Sequence, residues 1–315
     1  MLTNPYGNLP HLLFTEHFIT DINQRFQYPA LVRSKQFDSA VIGTSDARLL
    51  RPAELDSRFG GHFVNLAMNA ATAWEQYRLA DLFIRETPHS HMLLMALDHV
   101  WCDEEALSQR TTVRGFPDWM YDDNLWNDLP YMLNGKTVEL SGRVVADHLG
   151  FGAPRFPAGY EVFTPPESAY DSRKAKAKLW SSPEAHVIEA AQPEYVPTDK
   201  ERQSWRFPAL VWLDEILGRF SGRAVVALMP VHAVAQPQPG TRGAARENAC
   251  KEEMLAVASR HDVVVIDFRI HSAITLNDDN YWDRLHYRLP VAHRIVDESP
   301  KPLRPQLIGL SIQSR

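Results

Sequence analysis

Near its N-terminal end the chain contains the stretch Ser39-Ala40-Val41-Ile42-Gly43-Thr44-Ser45-Asp46-Ala47-Arg48. The apolar run ends at Gly43, which is typical of a buried strand in a parallel sheet. The three polar residues that follow are good helix caps and predict a short helical turn over 47–50, stopped by Pro52. Ser45 is therefore predicted at the carboxyl end of a first strand, where open α/β sheets bind their ligands.

Ser45 supports two interpretations. Serine is a preferred residue at helix N-termini, so Ser45 could be a structural cap. It could also be a nucleophile, which requires an imidazole as base and a carboxylate that orients the imidazole. The segment Asp283-Arg284-Leu285-His286 contains both groups within one turn of chain, so that Asp283 could hold Nδ1–H of His286. The alternative is that Asp283 is a helix cap and His286 a surface residue.

Strand and helix patterns alternate along most of the remaining chain. Strands are predicted over 62–66, 92–97, 223–229 and 262–268, and helices over 73–86, 207–220, 244–259 and 289–296. Such alternation indicates an α/β fold with a largely parallel central sheet and helices on both of its faces.

Three segments lack this alternation of strands and helices, and they divide the chain. Residues 1–36 are predicted to form an irregular N-terminal arm, and 297–315 a Pro-rich surface tail. Residues 103–205, rich in Trp, Tyr, Asp and Pro, are predicted to be a helical insertion after the third strand of the α/β domain (37–296), with helices near 136–149, 167–180 and 183–191. Insertions at this point overhang the ligand crevice and shape what enters it.

Composition and motifs exclude several classes of function. The 315 residues carry a formal net charge of −6, which offers no basic surface to nucleic acid. No apolar run is long enough to cross a membrane, and no signal peptide is recognisable. The two cysteines lack the spacing of a metal site or redox pair and are predicted to be buried thiols. His89-Ser90-His91 has no third ligand nearby, and no Gly-rich phosphate loop follows a strand, so neither a metal nor another cofactor is predicted.

Polar residues follow five predicted strand ends and would meet at one edge of the sheet. They are Ser45, Asn69 with Ala70, Asp98 with His99, His232, and the segment 283–286. His99 could donate a hydrogen bond to a ligand or could be a buried structural residue. His232 could line the mouth of the site or support the fold.

Three of these blocks, in their order and strand context, resemble the SGNH (GDSL-like) hydrolase superfamily. They are Gly43-Thr44-Ser45, the small-residue turn 65–72, and Asp283-Arg284-Leu285-His286. The resemblance covers about 37–101 and 206–296 and is closest to a cell-envelope branch that includes alginate O-acetylation enzymes and exopolysaccharide-associated proteins. It implies a flavodoxin-like three-layer fold, with Ser45 as nucleophile, His286 as base and Asp283 as its orienting partner. The backbone N–H groups of Ser45 and Ala70 would bind the oxyanion.

The resemblance further implies a serine esterase or O-acyltransferase that acts on a small-molecule or polysaccharide ester. The tryptophans and tyrosines of the insertion could stack on sugar rings or pack in the core, and stacking favours an acylated carbohydrate as the substrate. It implies a periplasmic or envelope location and possible membrane attachment by an N-terminal helix that precedes this chain; a cytoplasmic location follows if Met1 is the native start. Two positions depart from the family pattern: Ala70 replaces a glycine, and Leu97-Asp98-His99 replaces Gly-x-Asn. An ionised Asp98 cannot donate a hydrogen bond and does not replace the asparagine, whereas His99 could donate one. Asn69, His99 and His232 are the candidate contacts to the substrate or the oxyanion. The alternative function is an inactive carbohydrate-binding or scaffold subunit with the same fold.

Overall fold

The computed structural model describes residues 6, 23–151, 157–181, 185, 187, 193–299 and 307–309. Its centre is a parallel sheet of six strands: β1 (Ser39–Gly43), β2 (Phe63–Asn65), β3 (Met92–Leu97), β4 (Arg223–Leu228), β5 (Val264–Asp267) and β6 (Leu307–Gly309). The strand order is β2-β1-β3-β4-β5-β6, and every neighbouring pair is parallel. Because all strands run the same way, their carboxyl ends lie along one edge.

Helices cover both faces of the sheet. They are α1 (Gln24–Arg33), α2 (Pro52–Phe59), α3 (Ala73–Glu86), α4 (Leu125–Met132), α5 (Gly135–His148), α6 (Ser172–Trp180), α7 (Asp199–Ser204), α8 (Leu210–Arg219), α9 (Arg242–Arg260) and α10 (Leu289–Glu298). One core lies between the sheet and α1, α3, α8 and α9, and the other between the sheet and α2 and α10. The predicted α/β class, with a parallel sheet between two helical layers, is confirmed.

The two cores explain the continuous apolar runs of the strands. In β1 all five residues are buried. Ala40 and Ile42 contribute to one core and Val41 to the other, because successive side chains of a strand point to opposite faces. A strand buried on both faces is apolar along most of its length, and the run Ala40-Val41-Ile42 made β1 recognisable.

Helix α3 begins and ends where its sequence predicts. The Thr72 hydroxyl accepts a hydrogen bond from the Glu75 N–H, and the Glu75 carboxylate accepts one from the Thr72 N–H. This capping box satisfies two backbone donors that a helix start otherwise leaves unpaired. The helix then buries Leu79, Leu82 and Phe83 against the sheet.

Outside the insertion, two helices and one strand were not predicted, and within it α4 and α7 were not predicted. Helix α1 lies in the segment expected to be irregular, because the Pro29 inside it hid the helical pattern. Pro52 was expected to stop a turn but starts α2 instead; proline fits the first helical position, where no N–H is needed. The expected tail contains β6, which pairs with β5 at the sheet edge.

The insertion contains α4 to α7 and packs on the α/β body. Tyr121 donates a hydrogen bond of 2.7 Å to the backbone carbonyl of Arg25 in α1. Arg48 pairs with Glu161 at 2.5 Å and Arg288 with Glu167 at 2.5 Å, so the insertion is anchored on both sides of Ser45 and His286. The helix predicted near 183–191 falls mostly outside the described residues. In the described part of the chain, no helix is both long and apolar enough to cross a membrane.

Cys102 and Cys250 form a disulfide, with their Cα atoms 5.8 Å apart. The prediction of two buried thiols was therefore wrong. The two residues are 148 positions apart, and only the packing of α9 against the turn after β3 brings them together. The bond ties that turn to a helix at the carboxyl edge of the sheet.

We expect the Cys102→Ser/Cys250→Ser double variant to lose about 2–4 kcal/mol of unfolding free energy, because the cross-link restricts the unfolded chain. Urea denaturation of the wild type with and without dithiothreitol, beside the variant, measures this loss. The reduced wild type should match the variant. Two free thiols in the unreduced, denatured wild type would contradict the disulfide.

Candidate active site

Ser45 and His286 meet at the carboxyl edge of the sheet. Ser45 opens a 3-10 turn (Ser45–Ala47) directly after β1, and His286 lies in the loop before α10. The Ser45 Oγ lies 3.1 Å from Nε2 of His286, although the residues are 241 positions apart. This distance is within the range of a hydrogen bond from a hydroxyl to an imidazole.

Asp283 fixes the orientation of the imidazole. Its carboxylate oxygens lie 2.9 and 3.0 Å from Nδ1 of His286. One of them also accepts hydrogen bonds of 2.9 Å from the backbone N–H groups of Leu285 and His286. An ionised carboxylate only accepts, so Nδ1 carries the proton and Nε2 keeps its lone pair for the Ser45 hydroxyl. The three predicted triad residues are thus linked by hydrogen bonds, from Ser45 to His286 and from His286 to Asp283.

Asp283 and His286 each stabilise the charged form of the other. Burial alone would lower the pKa of His286, but the hydrogen bond and charge of Asp283, with the charge of Asp46, raise it above its usual value. For Asp283, burial acts to raise the pKa, yet the hydrogen bond and charge of His286 and two backbone N–H groups lower it to about 2. Asp283 is therefore ionised at neutral pH and stabilises the protonated imidazole.

His232 supports the loop that carries Asp283 and His286. It is only 1% exposed. Its Nδ1 accepts from the Val234 N–H and its Nε2 donates to Asp278, at 3.1 Å each, while its backbone N–H donates to the Arg284 carbonyl at 3.0 Å. Of the two interpretations of His232, the geometry favours the structural one.

The turn that precedes α3 presents Ala70 next to Ser45. Ala70 has φ of 47°, in the left-handed region that glycine adopts most easily. It is exposed and lines the same cavity as Ser45. Within the described part of the chain, no hydrogen bond uses the backbone N–H of Ala70 or of Ser45. Both N–H groups are available to a ligand.

Residues of α1 hold this turn. The Arg25 guanidinium donates to the carbonyls of Asn69 and Ala70 and pairs with Glu75 at 2.6 Å, in an ion pair almost completely buried. The Asn69 N–H donates to Gln24, and its side-chain oxygen accepts from Arg48 at 2.9 Å. Asn69 is thus fixed within the protein. Sequence reasoning missed Arg25 and Gln24, because their segment was predicted to be irregular.

Asp98 and His99 differ in their surroundings. Asp98 is buried and accepts hydrogen bonds from the Thr44 hydroxyl at 2.6 Å and the Val100 N–H at 3.1 Å, so it joins the ends of β1 and β3. His99 is exposed and lines the cavity at Ser45. Its imidazole can therefore reach a ligand, and the alternative of a buried His99 was wrong.

The cavity beside Ser45 has a volume of about 310 Å³. The described residues of its walls are small apolar and polar ones and include no Trp, Tyr or Phe. They are Thr44, Ser45, Asp46, Ala70, Ala71, Thr72, Ala73, Asp98, His99, Val100, Asp103, Ala106, Gln109, Thr112 and Leu285. A second cavity of about 380 Å³ shares the turn Asp98–Val100 and Asp103 with it. The described residues contain no group of three or more His, Cys, Asp or Glu placed to hold a metal ion.

Asp46 and Phe163 are neighbours of the triad that sequence reasoning did not place there. Asp46 is buried in the cavity wall, where burial and the charge of Asp98 raise its pKa to about 7. Phe163, from the insertion, packs edge-on against His286 with ring centroids 5.3 Å apart, and the Arg48 guanidinium lies 4.5 Å above its ring. Asp46 is adjacent to Ser45 in the chain, but no local pattern in the sequence could have indicated its burial or the contact between Phe163 and His286.

Ala70→Gly should stabilise the protein by roughly 0.5–1 kcal/mol, since glycine adopts the left-handed conformation without the steric cost that alanine has. Ala71→Gly is the matched control: Ala71 is buried and has no positive φ, so this change should destabilise. Urea denaturation measures both variants. If Ala70→Gly is no more stable than Ala71→Gly, the geometry assigned to the turn is wrong.

The titration of His286, followed by NMR, should have its midpoint above about pH 6.5, the usual value for histidine. Asp283→Asn should move it to lower pH, since the carboxylate that raises the pKa of His286 is lost and burial then lowers it. Asp103→Asn, in the same cavity wall but without a hydrogen bond to His286, should leave the midpoint unchanged. A midpoint that rises in Asp283→Asn would contradict this arrangement.

Neither models of known protein families nor curated protein sequences matched this chain. The likeness to SGNH hydrolases therefore depends on the three sequence blocks alone. The hydrogen-bonded order of Ser45, His286 and Asp283 is independent of that likeness, because it is a property of this structure.

Proposed function

We propose that this protein is a serine esterase or O-acyltransferase of the SGNH type that acts on an acylated carbohydrate. The observation that carries the proposal is the hydrogen-bonded series from Ser45 Oγ through His286 to the Asp283 carboxylate. A hydroxyl, a neutral imidazole and an ionised carboxylate in this order are the groups that acyl transfer needs.

In the proposed reaction, Ser45 Oγ attacks the ester carbonyl as its proton passes to Nε2 of His286. Asp283 stabilises the imidazolium that forms. The carbonyl oxygen becomes an oxyanion, which the free N–H groups of Ser45 and Ala70 can bind. His286 then gives its proton to the leaving alcohol as the C–O bond breaks, and the acyl group stays on Ser45.

A third oxyanion donor would come from His99 in this proposal. Leu97-Asp98-His99 stands where the family has Gly-x-Asn, and both carboxylate oxygens of Asp98 already accept hydrogen bonds. His99 is the adjacent residue, is exposed and faces the cavity. Losing one such donor costs about 10²- to 10³-fold in rate in other enzymes. Without a contribution from His99, activity would therefore be modest.

Polar groups in the cavity wall, together with the resemblance, support a carbohydrate ester as the substrate. Gln109, Thr112 and Asp103 in the wall can form hydrogen bonds with sugar hydroxyls. The aromatic residues of the insertion could stack on sugar rings, but the described residues that line this cavity include no Trp, Tyr or Phe. The adjoining cavity leaves room for an acceptor, and whether water or an acceptor hydroxyl reaches the acyl-enzyme would decide between hydrolysis and transfer.

The disulfide supports a location in an oxidising compartment, such as the periplasm or cell envelope, since disulfides rarely persist in the cytosol. Membrane attachment through a segment that precedes this chain is part of the same proposal and rests on the resemblance.

One observation favours the second candidate, a catalytically inactive carbohydrate-binding or scaffold subunit. Asp98 is committed to Thr44 and Val100 and cannot replace the missing asparagine donor. A subunit that had lost catalysis would keep the fold and the cavity without needing that donor.

The proposal predicts that the wild type hydrolyses p-nitrophenyl acetate and reacts covalently with a fluorophosphonate at Ser45. Ser45→Ala should abolish the labelling and lower turnover at least about 10³-fold, because the nucleophile is absent. Thr44→Ser, which keeps a hydroxyl next to Ser45, is the control and should still be labelled. Mass spectrometry locates the adduct. A wild type with no labelling and no turnover dependent on Ser45 would favour the scaffold.

A further inference from the structure

A hydroxyl group outside the triad links the segment that contains Ser45 to the segment that contains His286. Oη of Tyr287 donates a hydrogen bond to the backbone carbonyl of Asp46. Asp46 directly follows Ser45, and Tyr287 directly follows His286. This bond therefore runs beside the 3.1 Å contact between Ser45 Oγ and His286 Nε2.

Tyr287 is held firmly on the His286 side. Its side chain is 1% exposed, and it forms an antiparallel bridge with Tyr281. Within the same loop, the Trp282 N–H donates to the His286 carbonyl at 2.9 Å. Because the loop is closed by these bonds, the Tyr287 hydroxyl cannot move far without moving His286.

The turn that contains Ser45 is also held by hydrogen bonds. Asp46 is the middle residue of the 3-10 turn, and the Arg48 N–H donates to the Ser45 carbonyl at 3.2 Å. A hydrogen bond to the Asp46 carbonyl therefore fixes the position of the whole turn, and with it the Ser45 Cβ.

We propose that Tyr287 is a positioning residue whose hydroxyl keeps the Ser45 turn in register with His286 while Ser45 is acylated. This inference rests on the proposed function. Before acylation, the Ser45 hydroxyl itself contacts Nε2. In the acyl-enzyme, Oγ is an ester oxygen with no proton to donate, so that contact is lost. The Tyr287 bond uses a main-chain carbonyl that the reaction leaves unchanged, so it persists.

Deacylation is the step that depends on this link. The oxygen of water or of an acceptor alcohol bonds to the acyl carbon as its proton passes to Nε2 of His286. The bond between the acyl carbon and Ser45 Oγ then breaks, and Oγ takes that proton back. Both transfers need His286 within hydrogen-bond reach of the acyl group on Ser45.

Tyr281 offers a matched control. It is buried like Tyr287 and is its partner in the bridge, but its hydroxyl has no hydrogen-bond partner among the described residues. Tyr281→Phe and Tyr287→Phe each remove one buried hydroxyl from the same pair of residues. Only Tyr287→Phe removes the link to Asp46.

The two variants are compared with wild type in rapid-mixing kinetics with p-nitrophenyl acetate, where the burst reports acylation and the steady state reports deacylation. Tyr287→Phe should lower the steady-state kcat about 10- to 100-fold, the effect of a small misplacement of reacting groups, and the burst rate constant by less. Tyr281→Phe should keep the wild-type values. Equal kcat values in the two variants, or equal losses in the burst and the steady state of Tyr287→Phe, overturn the proposal.

A second measurement needs no turnover. The ¹⁵N resonance of Nε2 in His286 reports its contact with Ser45; it should shift in Tyr287→Phe in the same direction as in Ser45→Ala, and stay unchanged in Tyr281→Phe. Circular dichroism checks that all variants are folded. If this shift is seen in a protein that turns over no ester, the proposed function fails while the link stands. An unchanged resonance in Tyr287→Phe overturns the positioning role, whatever the activity.

Discussion

Parallel pairing of the strands is the constraint on which the site depends. When neighbouring strands all run the same way, every residue that follows a strand emerges at the same edge. Ser45 follows β1, Asp98 and His99 follow β3, and the turn with Ala70 follows β2. The loop of Asp283 and His286 reaches the same edge before α10 carries the chain back along the sheet. A polar cluster therefore forms there from segments that are far apart in sequence.

Rigidity at this edge comes from buried charge as well as from apolar packing. The Arg25–Glu75 pair is nearly inaccessible to water, and Arg25 also holds the carbonyls of Asn69 and Ala70. Removing one partner of such a pair typically costs about 3–5 kcal/mol, because the other charge is left buried. The same contacts thus stabilise α1 against α3 and hold the turn that places Ala70 in the cavity wall.

Three of the carboxyl groups close to the site, those of Asp283, Asp98 and Asp46, differ in their hydrogen-bond partners. Asp283 is held ionised by His286 and by backbone N–H groups. Both carboxylate oxygens of Asp98 accept hydrogen bonds, one from the residue after β1 and one from the turn after β3. Asp46 has no such donors to its carboxylate among the described residues, so burial and the charge of Asp98 raise its pKa. The pKa values of Asp283 and Asp46 therefore move in opposite directions, because of these two carboxylates only that of Asp283 accepts such hydrogen bonds from the described residues.

The sequence alone determined what short-range chemistry can encode. The apolar run of β1, the capping box of α3 and the Asp283 to His286 spacing each depend on residues only a few positions apart, so the α/β class and the three triad candidates could be predicted. Tertiary structure decided the rest. It brought Ser45 to His286 across 241 positions and Cys102 to Cys250 across 148, exposed His99 while burying His232, and made Arg25 a support of the Ala70 turn. These outcomes depend on how distant elements pack and which groups that packing removes from water, and no local pattern carries that information.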